Sequence, residues 1–71
     1  VKEIVVHTET IQLDQFLKWA RLVSTGGEAK HLIQEGLVKV NGQVEKARSR
    51  KLTPGAVVEL NGETYLVRLE K

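Results

Sequence analysis

Apolar residues alternate with polar ones at the start of the chain, take up a helical period through the next third, and return to alternation up to the end. Val1 to His7 is rich in β-formers, with Ile4 and Val6 on one face and Val5 on the other, which predicts a short strand. The polar run Thr8 to Thr10 ends it. From about Gln12 to Arg21, the residues Leu13, Phe16, Leu17 and Ala20 fall at i, i+3, i+4 and i+7, one stripe of a helix that must face a core. Trp19 lies at the margin of that stripe, and Asp14, Lys18 and Arg21 fall on the opposite side.

Thr25-Gly26-Gly27-Glu28 reads as a capping box. The Thr25 hydroxyl is expected to accept from the Glu28 N–H, and the Glu28 carboxylate to reach back to the Thr25 N–H. A second helix therefore begins near Gly26, with Ala29, Leu32 and Ile33 inward. It stops at Gly36, where a left-handed cap favours a residue without Cβ. Alternation resumes in Leu37-Val38-Lys39-Val40, then Asn41-Gly42, then Gln43-Val44-Glu45. Asn-Gly between two such runs predicts a hairpin with a type I′ turn. A basic loop from Lys46 to Lys51 and a Thr53-Pro54-Gly55 turn follow. Ala56 to Leu60, Asn61-Gly62 and Glu63 to Leu69 form a second hairpin with Tyr65, Val67 and Leu69 on one face. The predicted class is α+β: two helices followed by a small, mainly antiparallel sheet with two Asn-Gly hairpins.

Seventy-one residues suffice for a single domain, residues 1–71, whose core is thin because a chain of this size hides only ~60% of its unfolded surface. Cysteine is absent, so no disulfide and no thiolate metal site is available. The two histidines, His7 and His31, have no metal-ligand spacing, and Ser24 and Ser49 do not stand in a nucleophile setting. Neither a cofactor, a metal nor an enzymatic activity is expected. The apolar runs are too short to span a bilayer, so no membrane partner and a cytoplasmic location are expected. The net charge of +2 hides a concentration of cations: Lys39, Lys46, Arg48, Arg50 and Lys51 stand against one acid, Glu45, a local +4, while the remainder carries six basic and eight acidic residues. Such a strip either solvates a loop or attracts a polyanion, since only neighbouring charges act together in salt.

The runs Leu13-Asp14-Gln15-Phe16-Leu17-Lys18, Glu28-Ala29-Lys30-His31-Leu32-Ile33-Gln34-Glu35-Gly36, Val38-Lys39-Val40-Asn41-Gly42 and Leu52-Thr53-Pro54-Gly55, in this order, resemble the RNA-binding domain named after small-subunit ribosomal protein S-four. That family also supplies the RNA-binding part of bacterial pseudouridine synthases, a ribosome-associated heat-shock protein and tyrosyl-tRNA synthetase. The similarity covers about residues 11–60 and is greatest to short stand-alone bacterial members, the YaaA and YbcJ type. The resemblance implies an L-shaped helix pair on a small sheet and RNA as ligand. Structured RNA, ribosomal or tRNA-like, and ribosomal particles are the expected partners, and a monomeric chain is expected. With the basic strip and the glycine-rich helix start taken together with the resemblance, the candidate RNA contacts are Gln12, Gln15 and Lys18 at the first helix, Thr25, Gly26, Gly27, Lys30, His31 and Gln34 on the second, and Lys39, Asn41, Arg48, Arg50 and Lys51 beyond it.

The sequence departs from the family where many members carry Arg-Leu-Asp and Ser-Arg. Here Gln12-Leu13-Asp14 and Gly26-Gly27 stand in those places, and Ala56 replaces an acid after Pro-Gly. A helix start with two glycines offers a phosphate free N–H groups without Cβ obstruction, although Glu28 competes for the same donors. Glycine as simple loop and first turn remains the other reading. His31 is equally readable as an ordinary surface histidine. Three aromatic residues are few for a base-stacking platform, which favours RNA recognised by shape and backbone. The other function class open to this sequence is a protein-interaction adaptor whose basic loop docks on an acidic partner protein.

Overall fold

A computed structural model describes residues 1–70. Its elements run β1 (Lys2–Val6), β2 (Ile11–Gln12), α1 (Leu13–Trp19), α2 (Gly26–Gln34), β3 (Val38–Val40), β4 (Gln43–Val44), β5 (Lys51–Leu52), β6 (Val57–Leu60) and β7 (Glu63–Leu69). The main sheet has the order β1-β7-β6-β3-β4, and β2 with β5 forms a separate two-stranded ribbon. The class is α+β as expected, with two helices packed on the sheet, but the sheet is mixed. β1 runs parallel to β7, Ile4 opposite Val67 and Val6 opposite Leu69, whereas the other pairings in both sheets are antiparallel.

The helical stripe becomes the core. Leu13, Phe16 and Leu17 of α1 and Ala29 and Ile33 of α2 are fully buried, against Val38 and Val40 of β3, Val58 and Leu60 of β6, and Tyr65 and Val67 of β7. Removing these side chains from water at about 25 cal/mol per Å² is what offsets the ordering of so short a chain. Both Asn-Gly turns adopt the paired positive φ that type I′ requires, 52° and 86° at Asn41 and Gly42, 55° and 77° at Asn61 and Gly62. α2 ends in a Schellman motif at Gly36 (φ 76°), with Gly36 N–H donating to Ile33 O and Leu37 N–H to Leu32 O.

Four local expectations need correction. The first helix is shorter than Gln12 to Arg21, because Gln12 is extended (φ −71°, ψ 149°) and pairs with Lys51, while Arg21 has left the helix at φ 61°. α1 closes with the same Schellman pattern as α2, Arg21 N–H to Lys18 O and Leu22 N–H to Leu17 O, but with arginine in the glycine position. The Thr25 hydroxyl accepts from Glu28 N–H at 3.1 Å as expected, yet the Glu28 carboxylate accepts from Ser24 N–H at 2.8 Å rather than from Thr25. Thr25 is extended (φ −135°, ψ 160°), and successive N–H groups of an extended chain point to opposite sides, so only one of the two faces the helix. Finally, Leu37 lies outside β3 and is half exposed, and the basic loop ends in strand β5.

Candidate nucleic-acid interface

The basic segment is held by its backbone. The first N–H groups of a helix have no partner within it, and in α1 two of them find partners in the segment: Leu13 N–H donates to Arg50 O at 2.8 Å and Asp14 N–H to Arg48 O at 3.2 Å. The pairing of Ile11 with Leu52 and Gln12 with Lys51 extends the same seam. A stretch that reads as a solvated loop is thus fixed to the start of α1, and its side chains leave from a defined backbone. Lys39 stands apart on β3, exposed between buried Val38 and Val40, with Val44 and Glu59 as its cross-strand neighbours.

Every candidate contact residue is exposed. They fall into two groups. Gln12, Arg48, Arg50 and Lys51 surround the N-terminus of α1. Asn41 and Arg50 line one polar recess of about 370 Å³ together with Val40, Gln43, Val44 and Glu45. Asn41 also has a structural duty, because its Oδ1 accepts from Val57 N–H at 2.9 Å and its own N–H donates to Val57 O at 2.7 Å, which leaves its NH₂ as a donor. Thr25, Gly26, Gly27, Lys30, His31 and Gln34 form the second group on α2, which begins beyond the other end of α1. Gln15 and Lys18 lie on the exposed side of α1 between them. Seven helical residues span about 10 Å, so one polyanion touching both groups has to run along α1.

Neither space nor backbone explains the two glycines of α2. A Cβ on Gly26 would meet nothing within 4 Å, and one on Gly27 only Thr25 Oγ1 at 3.9 Å; neither has positive φ. The helix start is open, with Glu28 already engaged by Ser24.

Glu45, Trp19 and Arg21 are absent from the contacts inferred from the sequence. The Glu45 carboxylate lies 2.9 Å from Arg50 Nη1, a pairing five residues apart that no helical or strand period announces. Trp19 donates from Nε1 to Val5 O at 2.7 Å and stands 53% exposed; its place on the margin of the stripe was the one available signal. Among the described residues there is no group of three or more His, Cys, Asp or Glu suited to a metal ion, and no helix is long and apolar enough to cross a membrane.

Residues 4–68 match the family model described as S4 domain. The chain belongs to the S4-domain family. It is 46% identical over 59 residues to the probable ribosome maturation protein RlbA of Bacillus subtilis (strain 168), a match covering 83% of each chain. Among solved structures, the fold is similar to the trimeric heat shock protein 15 of Vibrio cholerae, with TM-score 0.75 and 28% identity over 89% of this chain and 67% of that one. It is also similar to the 30S ribosomal protein S4e of Thermoplasma acidophilum, with TM-score 0.64 and 25% identity over 83% of this chain and 31% of that one. This S4 domain therefore keeps the helix pair and sheet of those relatives, while its own sequence places glycine at the start of α2 and glutamine before α1.

Proposed function

We propose that this S4 domain is a non-catalytic, cytoplasmic RNA-binding module that grips structured RNA, ribosomal or tRNA-like, by its phosphate backbone during ribosome assembly or RNA metabolism. The observation that carries the reading is the anchoring of the basic segment. Because the Arg48 and Arg50 carbonyls bind the first N–H groups of α1, the cations stand on a backbone that needs little further ordering when a polyanion arrives. Arginine offers a planar fork to phosphate and lysine a mobile point charge, so Arg48, Arg50, Lys39 and Lys51 suit a backbone track better than base-specific contacts. The ribosome maturation role named for the Bacillus subtilis relative supports ribosomal RNA or an assembling subunit as the partner.

Titration against deproteinised ribosomal RNA at several salt concentrations tests this. With about four phosphates neutralised, log K is expected to fall with log salt at a slope of roughly −3 to −4; a salt-independent affinity would refute the backbone track. The adaptor reading is favoured by one observation, the exposed apolar pair Leu37 and Val44, with Val44 directly opposite Lys39. Binding to RNase-treated ribosomal protein with none to the RNA itself would establish that reading instead.

A further inference from the structure

We propose that Trp19 is the stacking surface for one unpaired nucleobase of the bound RNA, a contact that rests on the RNA-binding reading above. Trp19 is the chain's only tryptophan, and the other two aromatic side chains, Phe16 and Tyr65, are buried. Its indole is exposed yet fixed. The Nε1–H bond to the Val5 carbonyl holds one edge of the ring, and the His7 imidazole meets it edge-to-face with centroids 5.9 Å apart. A ring already held in one orientation loses little freedom when a base stacks on it.

Beside the indole is an apolar recess of about 150 Å³ lined by Val6, His7, Thr8, Ile11 and Trp19. This is below the ~300–1,000 Å³ that holds a whole small-molecule ligand, and it suits one flat ring. Its surroundings supply charge complementarity to a nucleotide chain. Gln15 and Trp19 stand at i and i+4 on the exposed side of α1, and Ile11 of the lining pairs with Leu52, the neighbour of Lys51, in the ribbon before the helix. Arg21 stands just past the helix end with φ 61°, a conformation that side chains with a Cβ rarely adopt and for which α2 uses Gly36. Among the described residues Arg21, two positions past the indole, and Lys51, beside the Leu52 that pairs with Ile11, take part in no ion pair, which leaves both free for the phosphates that flank a stacked base. The acid nearest in sequence to the lining, Glu9, is not part of it.

The test uses the full chain, an RNA stem with one bulged purine and the same stem fully paired, with Trp19 fluorescence and the affinity for each stem as readouts. The expected result is quenching of Trp19 by the bulged stem, tighter binding of that stem by roughly tenfold, and loss of the preference in Trp19→Ala with binding to the paired stem retained. Trp19→Phe keeps a ring without the Nε1 donor and is expected to keep part of the preference. Circular dichroism checks that both variants fold, and the quenching of the unmodified chain decides if Trp19→Ala does not. Equal affinity for the two stems with unchanged fluorescence overturns the inference while leaving RNA binding intact. Binding to neither stem overturns the RNA-binding reading itself. A fluorescence shift that follows protein concentration and ignores RNA assigns the recess to a second copy of the chain and also overturns it.

Discussion

The Arg50 guanidinium lies 2.9 Å from the Glu45 carboxylate, so a cation at the centre of the basic strip is already paired before any RNA arrives. A phosphate approaching Arg50 must either displace Glu45 or share the guanidinium with it. Glu45→Gln removes the competing charge while keeping the shape of the side chain. Affinity for ribosomal RNA is therefore expected to rise by several-fold at low salt, with the salt slope steeper by up to about one. Filter binding at matched salt concentrations checks this; an unchanged affinity would place Arg50 outside the contact surface.

Arg48→Ala combined with Arg50→Ala should separate binding from folding. The contributions of these residues to the fold run through their carbonyls, which alanine retains. The Glu45–Arg50 pair, with Arg50 exposed and Glu45 partly buried, is worth about 1 kcal/mol. RNA affinity is expected to fall and the salt slope to shrink by roughly 1.5, with the thermal midpoint moving only a few degrees. A collapse of the fold in calorimetry would make the side chains structural.

At Gly27 an added methyl meets open space apart from Thr25 Oγ1 at 3.9 Å. Gly27→Ala is thus expected to stabilise the chain by about 0.5–1 kcal/mol, through better helix propensity and a less flexible unfolded state. If a phosphate sits against the N–H groups at the start of α2, the same methyl crowds it and RNA binding weakens. Lys30→Ala is the control, since it removes a charge from α2 without touching the approach to the backbone. Parent-like binding by both variants at low salt would rule out this helix start as a contact.

Arg21 in the left-handed region carries a conformational cost that glycine does not. Arg21→Gly is expected to raise stability by up to ~1 kcal/mol, a rise of about 4–8 °C in thermal midpoint for a domain of this size. If the guanidinium contacts RNA, the more stable variant will also be the weaker binder. Differential scanning calorimetry and an RNA titration on the same preparation test both halves, and a lower midpoint would show that the Arg21 side chain holds the fold.

Some of this molecule is determined by residues close together in the chain. The stripe of Leu13, Phe16 and Leu17, the Thr25 cap, the Gly36 stop and the two Asn-Gly turns each rest on a period or a φ preference acting over a few residues, and all are found where the sequence puts them. What tertiary structure alone decided lies between distant segments. β1 pairs in parallel with β7, from the other end of the chain, and a parallel register leaves no turn signal to read. The docking of the basic segment on α1 is likewise invisible locally, because backbone carbonyls of Arg48 and Arg50 satisfy the helix start whatever their side chains are. That docking turns a charge run into an oriented surface. The Glu45–Arg50 pair closes the connection between β4 and β5, and the meeting of β1 with the end of α1 brings Trp19 to Val5. Residue types fix which groups could meet a polyanion, but their spacing in three dimensions is set by burial of the shared core, a sum over the whole chain that no short window contains.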